Sequence, residues 1–274
     1  MTISLLDGRV EIIVDDVMAA LARMSSDSVD CVVTSPPYWG LRSYIADGDP
    51  LKPLEIGLEP TLASHLETMV AVFEQVRRVL KPTGTCWINY GDCYATTPNG
   101  KSAADYKADG TDDRTFRDKP FSTISGGIKP KDLLMIPNRL AIALQDAGWW
   151  VRSEIIWGKS NPMPDSSGAY RPSAAHEKIF MLTKSDDGDV WPPELAERCI
   201  LAGCPKDGVV LDPFGGAGTT GLVAARHNRR AMLIELNPEY ADIARRRIER
   251  EWRVIANAPS ATTDHGPLFS AKVL

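Results

Sequence analysis

The sequence has few of the residues that build metal sites or disulfide frameworks. Its 274 residues include five cysteines and four histidines, and no two cysteines stand in a CxxC spacing. An odd number of scattered cysteines is not typical of a disulfide framework, and the histidines add no zinc-ligand pattern. We therefore expect neither a metal site nor structural disulfides.

Long apolar runs are absent as well. No stretch reaches the roughly 18 apolar residues that a membrane span requires. Residues 1–16 carry acidic side chains where a signal peptide would need a basic start and an apolar run. These absences predict a cytoplasmic protein that contacts no membrane.

Neither sign of charge is in large excess. Lysine and arginine total 31 against 36 aspartate and glutamate, which gives a net charge of −5, and 43% of the residues are hydrophobic. Such values are typical of a globular protein and argue against one that coats nucleic acid nonspecifically, but they leave room for a local basic face. At roughly 100–200 residues per domain, the length fits one large domain or two small ones.

Strand and helix signals alternate along the chain. The clearest helix is predicted over residues 61–80, where apolar side chains recur at steps of three and four residues. The other elements are strands at 10–14, 29–34, 85–89, 150–157, 178–183, 208–212 and 230–235, and helices at 17–24, 132–147, 192–203, 218–228 and 238–253. This alternation predicts an α/β fold with a mostly parallel sheet flanked by helices.

Two segments depart from the alternation. Residues 95–131 have few aliphatic side chains and many Gly, Ser, Thr, Asp and Pro residues, which predicts a long loop insertion. The C-terminal tail over 257–274 is predicted to be poorly ordered. A single domain would then span residues 1–256.

A glycine-rich turn over residues 212–220, with the sequence DPFGGAGTT, follows one predicted strand and opens the next helix. Glycines there let the backbone approach a ligand closely, and Glu235 at the end of the next strand can accept hydrogen bonds from ribose hydroxyls. No Gly-Lys-Thr/Ser follows the glycines, which disfavours an ATP-binding phosphate loop. The pattern predicts a nucleoside-containing cofactor, either NAD or S-adenosylmethionine. The alternative is a tight turn without a ligand.

The sequence Ser-Pro-Pro-Tyr at residues 35–38 follows the predicted strand 29–34. Strand ends of a doubly wound sheet face the ligand crevice. The two prolines fix the backbone and leave carbonyl acceptors, while Tyr38 and Trp39 offer flat stacking surfaces. This segment suits a planar ring with an exocyclic amine. The alternative is a rigid proline turn with aromatic side chains packed in the core.

The segments TSPPY (34–38) and DPFGGAGTT (212–220) together resemble the amino-group DNA methyltransferases, in the circularly permuted (beta-class) order that places the catalytic motif before the cofactor motif. Further matching segments are RVLKPTG (78–84), WINYGD (87–92), KDLL (131–134), GWWVRSEIIW (148–157), NPMP (161–164), HEKIF (176–180) and PPELA (192–196). The resemblance covers about residues 9–95 and 130–250. It implies one Rossmann-like domain that uses S-adenosylmethionine, with the catalytic motif in 1–95 and the cofactor motif in 205–250.

The resemblance implies methyl transfer to the exocyclic amine of a base flipped out of double-stranded DNA. Ser35 and the Pro36 carbonyl would accept the amine hydrogens, and Tyr38 would stack on the base. Methylation of cytosine C5 would need a cysteine nucleophile, usually in a Pro-Cys dipeptide. This chain has Cys204-Pro205 in the reverse order, which argues against that chemistry. The implied catalytic residues are Ser35, Pro36, Pro37 and Tyr38, and the implied cofactor-binding residues are Asp16, Asp212, Phe214, Gly216, Gly218, Thr219 and Glu235. For Asp16, the alternative is a helix-capping role.

In this family the target-recognition region usually lies between the strand that contains HEKIF and the helix that contains PPELA. Here this region is very short, because only residues 185–189 separate Lys184, directly after the predicted strand 178–183, from Val190. We expect DNA contacts instead from Trp39 and from three basic residues of the insertion, Arg114, Arg117 and Lys119. Residues 42–58 are a second candidate for recognition. The alternative for the insertion is a solvated loop with no partner.

Serine at position 35, where many adenine enzymes carry aspartate, resembles the cytosine-N4 type. The sequence therefore predicts a cytosine-N4 DNA methyltransferase in restriction–modification or phage protection, with adenine N6 as the alternative. More remote alternatives are an RNA or small-molecule methyltransferase and a non-catalytic DNA-binding relic. A homodimer is left open.

Overall fold

The computed structural model describes residues 1–96, 121–124, 127–159, 175–185 and 195–256. In these ranges eight strands form one sheet: β1 (Thr2–Leu5), β2 (Val10–Val14), β3 (Val29–Thr34), β4 (Leu80–Tyr90), β5 (Trp150–Gly158), β6 (His176–Thr183), β7 (Val209–Asp212) and β8 (Arg230–Glu235). The helices are α1 (Val17–Arg23), α2 (Leu62–Val79), α3 (Ile136–Asp146), α4 (Leu195–Gly203), α5 (Thr219–Arg226) and α6 (Pro238–Ala256), with a short 3-10 turn at Lys52–Leu54.

The sheet has the order β1-β2-β8-β7-β3-β4-β6-β5. Its five central strands, from β2 to β4, run parallel. Strand β1 is antiparallel to β2 at one edge, and β6 and β5 are antiparallel to their inner neighbours at the other. The predicted α/β fold with a mostly parallel sheet is confirmed. The carboxyl ends of the parallel strands therefore meet at one edge.

Helix α2 shows why the periodic segments were predictable. Its N-terminus is closed by a capping box, in which the Thr61 hydroxyl accepts from the Ser64 backbone N–H at 3.1 Å and the Ser64 hydroxyl accepts from the Thr61 N–H at 3.2 Å. Its apolar stripe, including Met69, Phe73 and Val76, is fully buried. The helix covers Leu62–Val79, against the prediction of 61–80.

Three elements differ clearly from the sequence prediction. Helix α3 begins at Ile136 and not at residue 132, since Met135 before it has φ +55°, outside the helical region. Strand β1 was not predicted, because its four residues carry no clear pattern and gain their hydrogen bonds only from β2, in a register that pairs Thr2 with Ile13. Strand β4 begins at Leu80 and not at residue 85, since Leu80 pairs with Val29 before a bulge. The bulge accommodates residues 81–84 (KPTG), which lie between these two paired positions of β4.

Helices cover both faces of the sheet. One buried cluster joins α1, α2 and α3 to the sheet, and the other joins α4, α5 and α6 to its opposite face. All five cysteines are free thiols. No helix in the described ranges is long and apolar enough to cross a membrane.

Gly203, the last residue of α4, lies against the sheet without room for a side chain. An added Cβ would lie 2.1 Å from Thr85 Oγ1 and 2.7 Å from the Trp87 indole nitrogen. Gly203→Ala should lower the free energy of unfolding by about 1–3 kcal/mol, because overpacking displaces the helix from the strands. Urea denaturation measures this loss.

The matched control is Gly158→Ala in β5, where an added Cβ meets nothing within 4 Å. It should change the free energy of unfolding by less than about 0.5 kcal/mol. Equal losses in the two variants would show that close packing of α4 is not the cause.

Candidate functional site

A cavity of ≈ 570 Å³ opens where the parallel strands end. It is lined by residues that directly follow β2, β3, β4 and β7, by the end of β8, and by the start of β6. The Ser-Pro-Pro-Tyr loop (residues 35–38) and the glycine turn (residues 212–220) both contribute to this lining. Two segments far apart in sequence therefore meet because their strands, β3 and β7, are parallel neighbours.

Asp212 ties these two strand ends together. Its Oδ1 accepts hydrogen bonds from Thr34 Oγ1 at 2.7 Å and from the Phe214 backbone N–H at 3.1 Å, and its Oδ2 accepts from Thr220 Oγ1 at 2.7 Å. The side chain is buried and does not line the cavity. Burial raises the pKa of Asp212, and the three hydrogen bonds offset part of this rise. Asp212 thus connects the start of the Ser-Pro-Pro-Tyr loop to the glycine turn from a buried position outside the cavity lining.

Glu235 faces the cavity from the end of β8. Its Oε2 accepts from the Gly216 backbone N–H at 2.8 Å, and its Oε1 accepts from the Asn237 N–H at 2.9 Å. Burial raises the pKa of this carboxyl. Gly216 has φ +49°, and an added Cβ would meet only the Phe214 carbonyl oxygen at 3.9 Å, so a ligand can approach its backbone.

Two predicted cofactor residues, Gly218 and Thr219, have contacts that sequence reasoning did not assign to them. Gly218, with φ +77°, packs against α6, where an added Cβ would lie 3.0 Å from the Ala244 Cβ. Thr219 Oγ1 accepts from an Arg247 guanidinium N–H at 2.9 Å. Neither residue lines the cavity, because the N-terminus of α5 is packed on α6. Asp16 does line the cavity, and it also caps α1 by accepting from the Ala19 N–H at 2.9 Å.

The four residues of the Ser-Pro-Pro-Tyr loop all line the cavity, with Ser35 exposed. The ring of Tyr38 stacks on Tyr90, with centroids 4.6 Å apart and an interplanar angle of 25°. Burial raises the pKa of Tyr38 to about 12, so its hydroxyl stays protonated at neutral pH. Gly91 makes room for this ring, because an added Cβ would lie 2.7 Å from Tyr38 Cε2.

The position of Trp39 corrects the expectation that it contacts the substrate. Its side chain is fully buried, does not line the cavity, and donates an indole hydrogen bond to the Glu59 backbone carbonyl at 2.8 Å. Its ring packs near Phe121, with centroids 5.6 Å apart. Tyr38 therefore faces the cavity, whereas the adjacent Trp39 faces the core.

Sequence reasoning missed a polar group beside Tyr38. The Tyr38 hydroxyl donates to Glu177 Oε2 at 3.2 Å, Asn89 Nδ2 donates to the same oxygen at 2.9 Å, and Lys159 Nζ lies 2.5 Å from Glu177 Oε1. Burial opposes ionisation of Glu177, but the bonds from Lys159 and Asn89 outweigh it and hold the pKa of this carboxyl below its usual range. An ionised carboxylate therefore faces the cavity.

The antiparallel direction of β6 explains why Glu177 was missed. Lys178 of β6 pairs with Tyr90 of β4, so the preceding residue Glu177 lies at the carboxyl end of β4. A parallel β6 would have placed it at the opposite edge of the sheet. The HEKIF segment was matched to the family, but its sequence does not reveal the direction of its strand.

The segment 41–56 forms one wall of the cavity. The Tyr44 backbone carbonyl accepts from Asn237 Nδ2 at 2.9 Å, and the Tyr44 ring meets the Tyr240 ring edge-on with centroids 5.8 Å apart. Residues 42–58 were predicted as a candidate for target recognition. The described contacts connect this segment to the end of β8, beside Glu235.

The basic residues predicted to contact DNA, Arg114, Arg117 and Lys119, lie outside the described residues, as does the tail 257–274. The described ends of the insertion are joined by backbone hydrogen bonds, including Lys131 N–H to the Ala95 carbonyl at 2.8 Å and Thr123 N–H to the Thr96 carbonyl at 3.1 Å. Across the described ranges, no group of three or more His, Cys, Asp or Glu side chains could hold a metal ion.

Comparison with protein families agrees with this geometry. A family model described as DNA methylase, for N6 and N4 methyltransferases, matches residues 29–191 and 189–246. The type II methyltransferase M.XycI of Xanthomonas campestris pv. cyanopsidis is 42% identical over 269 residues, which cover 85% of this chain and 86% of that protein. M.Cfr9I of Citrobacter freundii, also a type II methyltransferase, is 41% identical over 271 residues, 86% of each chain.

Solved structures show the same fold. TTHA0409 of Thermus thermophilus, provisionally assigned as a DNA modification methylase and solved with S-adenosyl-L-methionine, is 26% identical with a TM-score of 0.55, covering 88% of this chain and 95% of its own. The PvuII DNA methyltransferase, named as cytosine-N4-specific, aligns with a TM-score of 0.63 at 18% identity, covering 92% and 94%.

The family match spans more than half of the chain, and its relatives align along most of their length. The methyl donor of this family is S-adenosyl-L-methionine. The chain therefore belongs to the family of N6 and N4 DNA methyltransferases, enzymes of restriction–modification that methylate exocyclic amines of DNA bases.

Proposed function

We propose that this chain methylates the N4 amine of a cytosine flipped out of double-stranded DNA. The observation that carries the proposal is that the Ser-Pro-Pro-Tyr loop and Glu235 line one cavity, although they follow different strands. A base held by the loop would then face a cofactor held by the glycine turn. The Ser-Pro-Pro-Tyr loop is accordingly proposed as the catalytic loop.

The residues on the β8 side fit S-adenosylmethionine. The Glu235 carboxylate can accept from ribose hydroxyls while it keeps its bonds to Gly216 and Asn237. Phe214 offers an apolar face, and the open space at Gly216 admits a ligand against the backbone. When bound, the cofactor supplies the sulfonium methyl group.

The residues on the β3 side fit an amine on a planar ring. The amine nitrogen is a poor nucleophile because its lone pair is delocalised into the ring. The Ser35 hydroxyl and the Pro36 carbonyl would accept its two hydrogens and so restore electron density on the nitrogen, while they aim it at the methyl group. Tyr90 covers one face of the Tyr38 ring, and the other face is proposed to stack on the base.

The choice of cytosine rests on Ser35. A neutral hydroxyl suffices if the amine is only polarised, whereas a carboxylate in its place would be a stronger acceptor. Adenine N6 is the alternative, because flipped adenine presents the same edge of an amine beside a ring nitrogen. Glu177 lines the cavity next to Tyr38, and its carboxylate is a further acceptor for an amine held there.

The first test concerns the cofactor. Glu235→Ala should weaken S-adenosylmethionine binding by about 1–3 kcal/mol, since it leaves polar partners unpaired. Glu235→Gln keeps one acceptor oxygen and should lose less. Isothermal titration calorimetry with S-adenosylmethionine and NAD measures both. Tighter binding of NAD by the unmodified protein would refute the assignment.

The second test concerns the catalytic loop. Ser35→Ala and Tyr38→Ala should lower the rate of methyl transfer to DNA by on the order of 100-fold, with cofactor affinity nearly unchanged. Tyr38→Phe should retain more activity than Tyr38→Ala, because stacking depends on the ring face. Transfer of a radiolabelled methyl group measures the rate, and calorimetry measures the affinity.

The control for the loop variants is Ser4→Ala, which removes an exposed hydroxyl from edge strand β1. It should leave both the rate and the affinity unchanged. A parallel collapse of cofactor affinity in the Ser35 and Tyr38 variants would show that these residues are structural. Transfer to RNA or small amines but not to DNA would overturn the proposed substrate.

The third test identifies the base. DNA from cells that express the chain should contain N4-methylcytosine, detected by mass spectrometry of its nucleosides. DNA from cells that express Ser35→Ala is the matched control and should contain far less. Methyl groups on adenine alone would refute the cytosine assignment and leave the proposals for the cofactor and the catalytic loop in place.

A further inference from the structure

A chain of hydrogen bonds runs through the core behind the catalytic loop. Glu59 Oε2 lies 2.8 Å from His65 Nδ1, His65 Nε2 lies 2.9 Å from the Tyr90 hydroxyl, and that hydroxyl lies 3.1 Å from the Pro37 carbonyl oxygen. His65 is fully buried on α2, and Tyr90 is fully buried at the end of β4. Neither they nor Glu59 line the cavity. We call this chain the Glu59–His65–Tyr90 relay.

The hydroxyl of Tyr90 holds the backbone on both sides of Tyr38. It donates to the Pro37 carbonyl, which precedes Tyr38, and it accepts from the backbone N–H of Trp39, which follows Tyr38, at 3.2 Å. The Tyr90 ring stacks on the Tyr38 ring as well. One side chain therefore fixes the backbone and one ring face of the proposed base-stacking residue.

The prolines make this anchor important. Pro36 and Pro37 have no backbone N–H, so the loop has two fewer donors with which to attach itself to the fold. The Pro37 carbonyl and the Trp39 N–H flank Tyr38 in the chain, and the one hydroxyl of Tyr90 is hydrogen-bonded to both.

The number of protons in the relay assigns a role to each atom. The Pro37 carbonyl can only accept, so the single hydroxyl proton of Tyr90 is directed to it, and the hydroxyl oxygen accepts from Trp39 and from His65 Nε2. The His65 ring thus bridges the Tyr90 hydroxyl through Nε2 and the Glu59 carboxyl group through Nδ1.

Glu59 is itself held in place. Its Oε2 also accepts from the Gly57 N–H at 3.1 Å, and its backbone carbonyl accepts the Trp39 indole hydrogen bond at 2.8 Å. Burial opposes ionisation of Glu59, but the hydrogen bond and the charge of His65 outweigh it and hold its pKa below the usual range.

We propose that the Glu59–His65–Tyr90 relay positions Tyr38 and the Pro36 carbonyl for methyl transfer by keeping the Tyr90 hydroxyl in its hydrogen bond to the Pro37 carbonyl. The three relay residues are positioning residues, because they act through the loop. Without a partner at His65, the Tyr90 hydroxyl could turn away from the Pro37 carbonyl, which would then lose its donor. This proposal rests on the proposed function, which makes residues 35–38 the catalytic loop.

Tyr90→Phe tests the relay directly, because it removes the hydroxyl and keeps the ring that stacks on Tyr38. We expect kcat for methyl transfer to fall by about 10- to 100-fold, since small misplacements of reacting groups cost that much. The dissociation constant for S-adenosylmethionine and the KM for DNA should stay within about threefold. A kcat within twofold of the unmodified enzyme would refute the proposal.

Substitutions of His65 supply a second test that holds if Tyr90→Phe folds poorly. His65→Gln keeps a donor that can reach Tyr90, whereas His65→Leu has a similar size and no donor. His65→Gln should keep at least fivefold more kcat than His65→Leu at similar thermal stability. Equal kcat in the two variants would refute the relay.

Glu59→Gln tests the charged partner. A neutral amide holds His65 Nδ1 less firmly and so loosens the contact of Nε2 with Tyr90, and kcat should fall at least fivefold with cofactor affinity unchanged. The matched control is His227→Gln, which changes a second histidine–glutamate pair, formed by His227 at the C-cap of α5 and Glu197 of α4. It should leave kcat unchanged.

The outcomes separate the relay from the proposed function. If Ser35→Ala abolishes transfer while the relay variants behave like the unmodified enzyme, the proposed function stands and the relay is refuted. If the unmodified enzyme transfers no methyl group to DNA, the proposed function fails first. Loss of cofactor affinity in step with kcat in the relay variants would show a structural role only and would also refute positioning.

Discussion

The spacing of the two loops that line the cavity depends on the buried carboxylate of Asp212. It sits at the end of β7 and binds Thr34 at the end of the neighbouring strand β3, Thr220 in α5 and the Phe214 backbone. A buried carboxylate is costly unless it is fully hydrogen-bonded, and here three donors converge on it. Both loops begin beside these three hydrogen bonds. A shift of either strand end would therefore move the Ser-Pro-Pro-Tyr loop relative to the glycine turn.

The two loops are held in place by different kinds of contact. The glycine turn uses backbone N–H groups, one of which donates to Glu235, so the acid that faces the cavity also shapes the turn. The Ser-Pro-Pro-Tyr loop lacks two such donors and is anchored through a carbonyl and an aromatic face, both contacted by Tyr90. Because the two prolines have no N–H to donate, the loop depends on Tyr90 in the core behind it for these contacts.

Patterns of local sequence predicted the elements well, and long-range pairing limited the rest. The apolar stripe of α2 and the alternation of strands fixed the fold class, because burial of one helix face and a parallel sheet leave a clear periodicity. Three features of the site follow from neighbours that are distant in sequence. They are the burial of Trp39, the packing of Gly218 on α6 and the approach of Glu177 to Tyr38. Strand β1 was missed for the same reason, since only its pairing with β2 defines it.

The wall of the cavity connects its two sides through continuous chain. Segment 41–56 follows closely after the Ser-Pro-Pro-Tyr loop and returns over the end of β8, where the Tyr44 carbonyl accepts from Asn237 and its ring meets Tyr240. Asn237 in turn donates its backbone N–H to Glu235. The Ser-Pro-Pro-Tyr loop is therefore linked to Glu235 along the wall, and Asp212 links it to the glycine turn at the ends of β3 and β7.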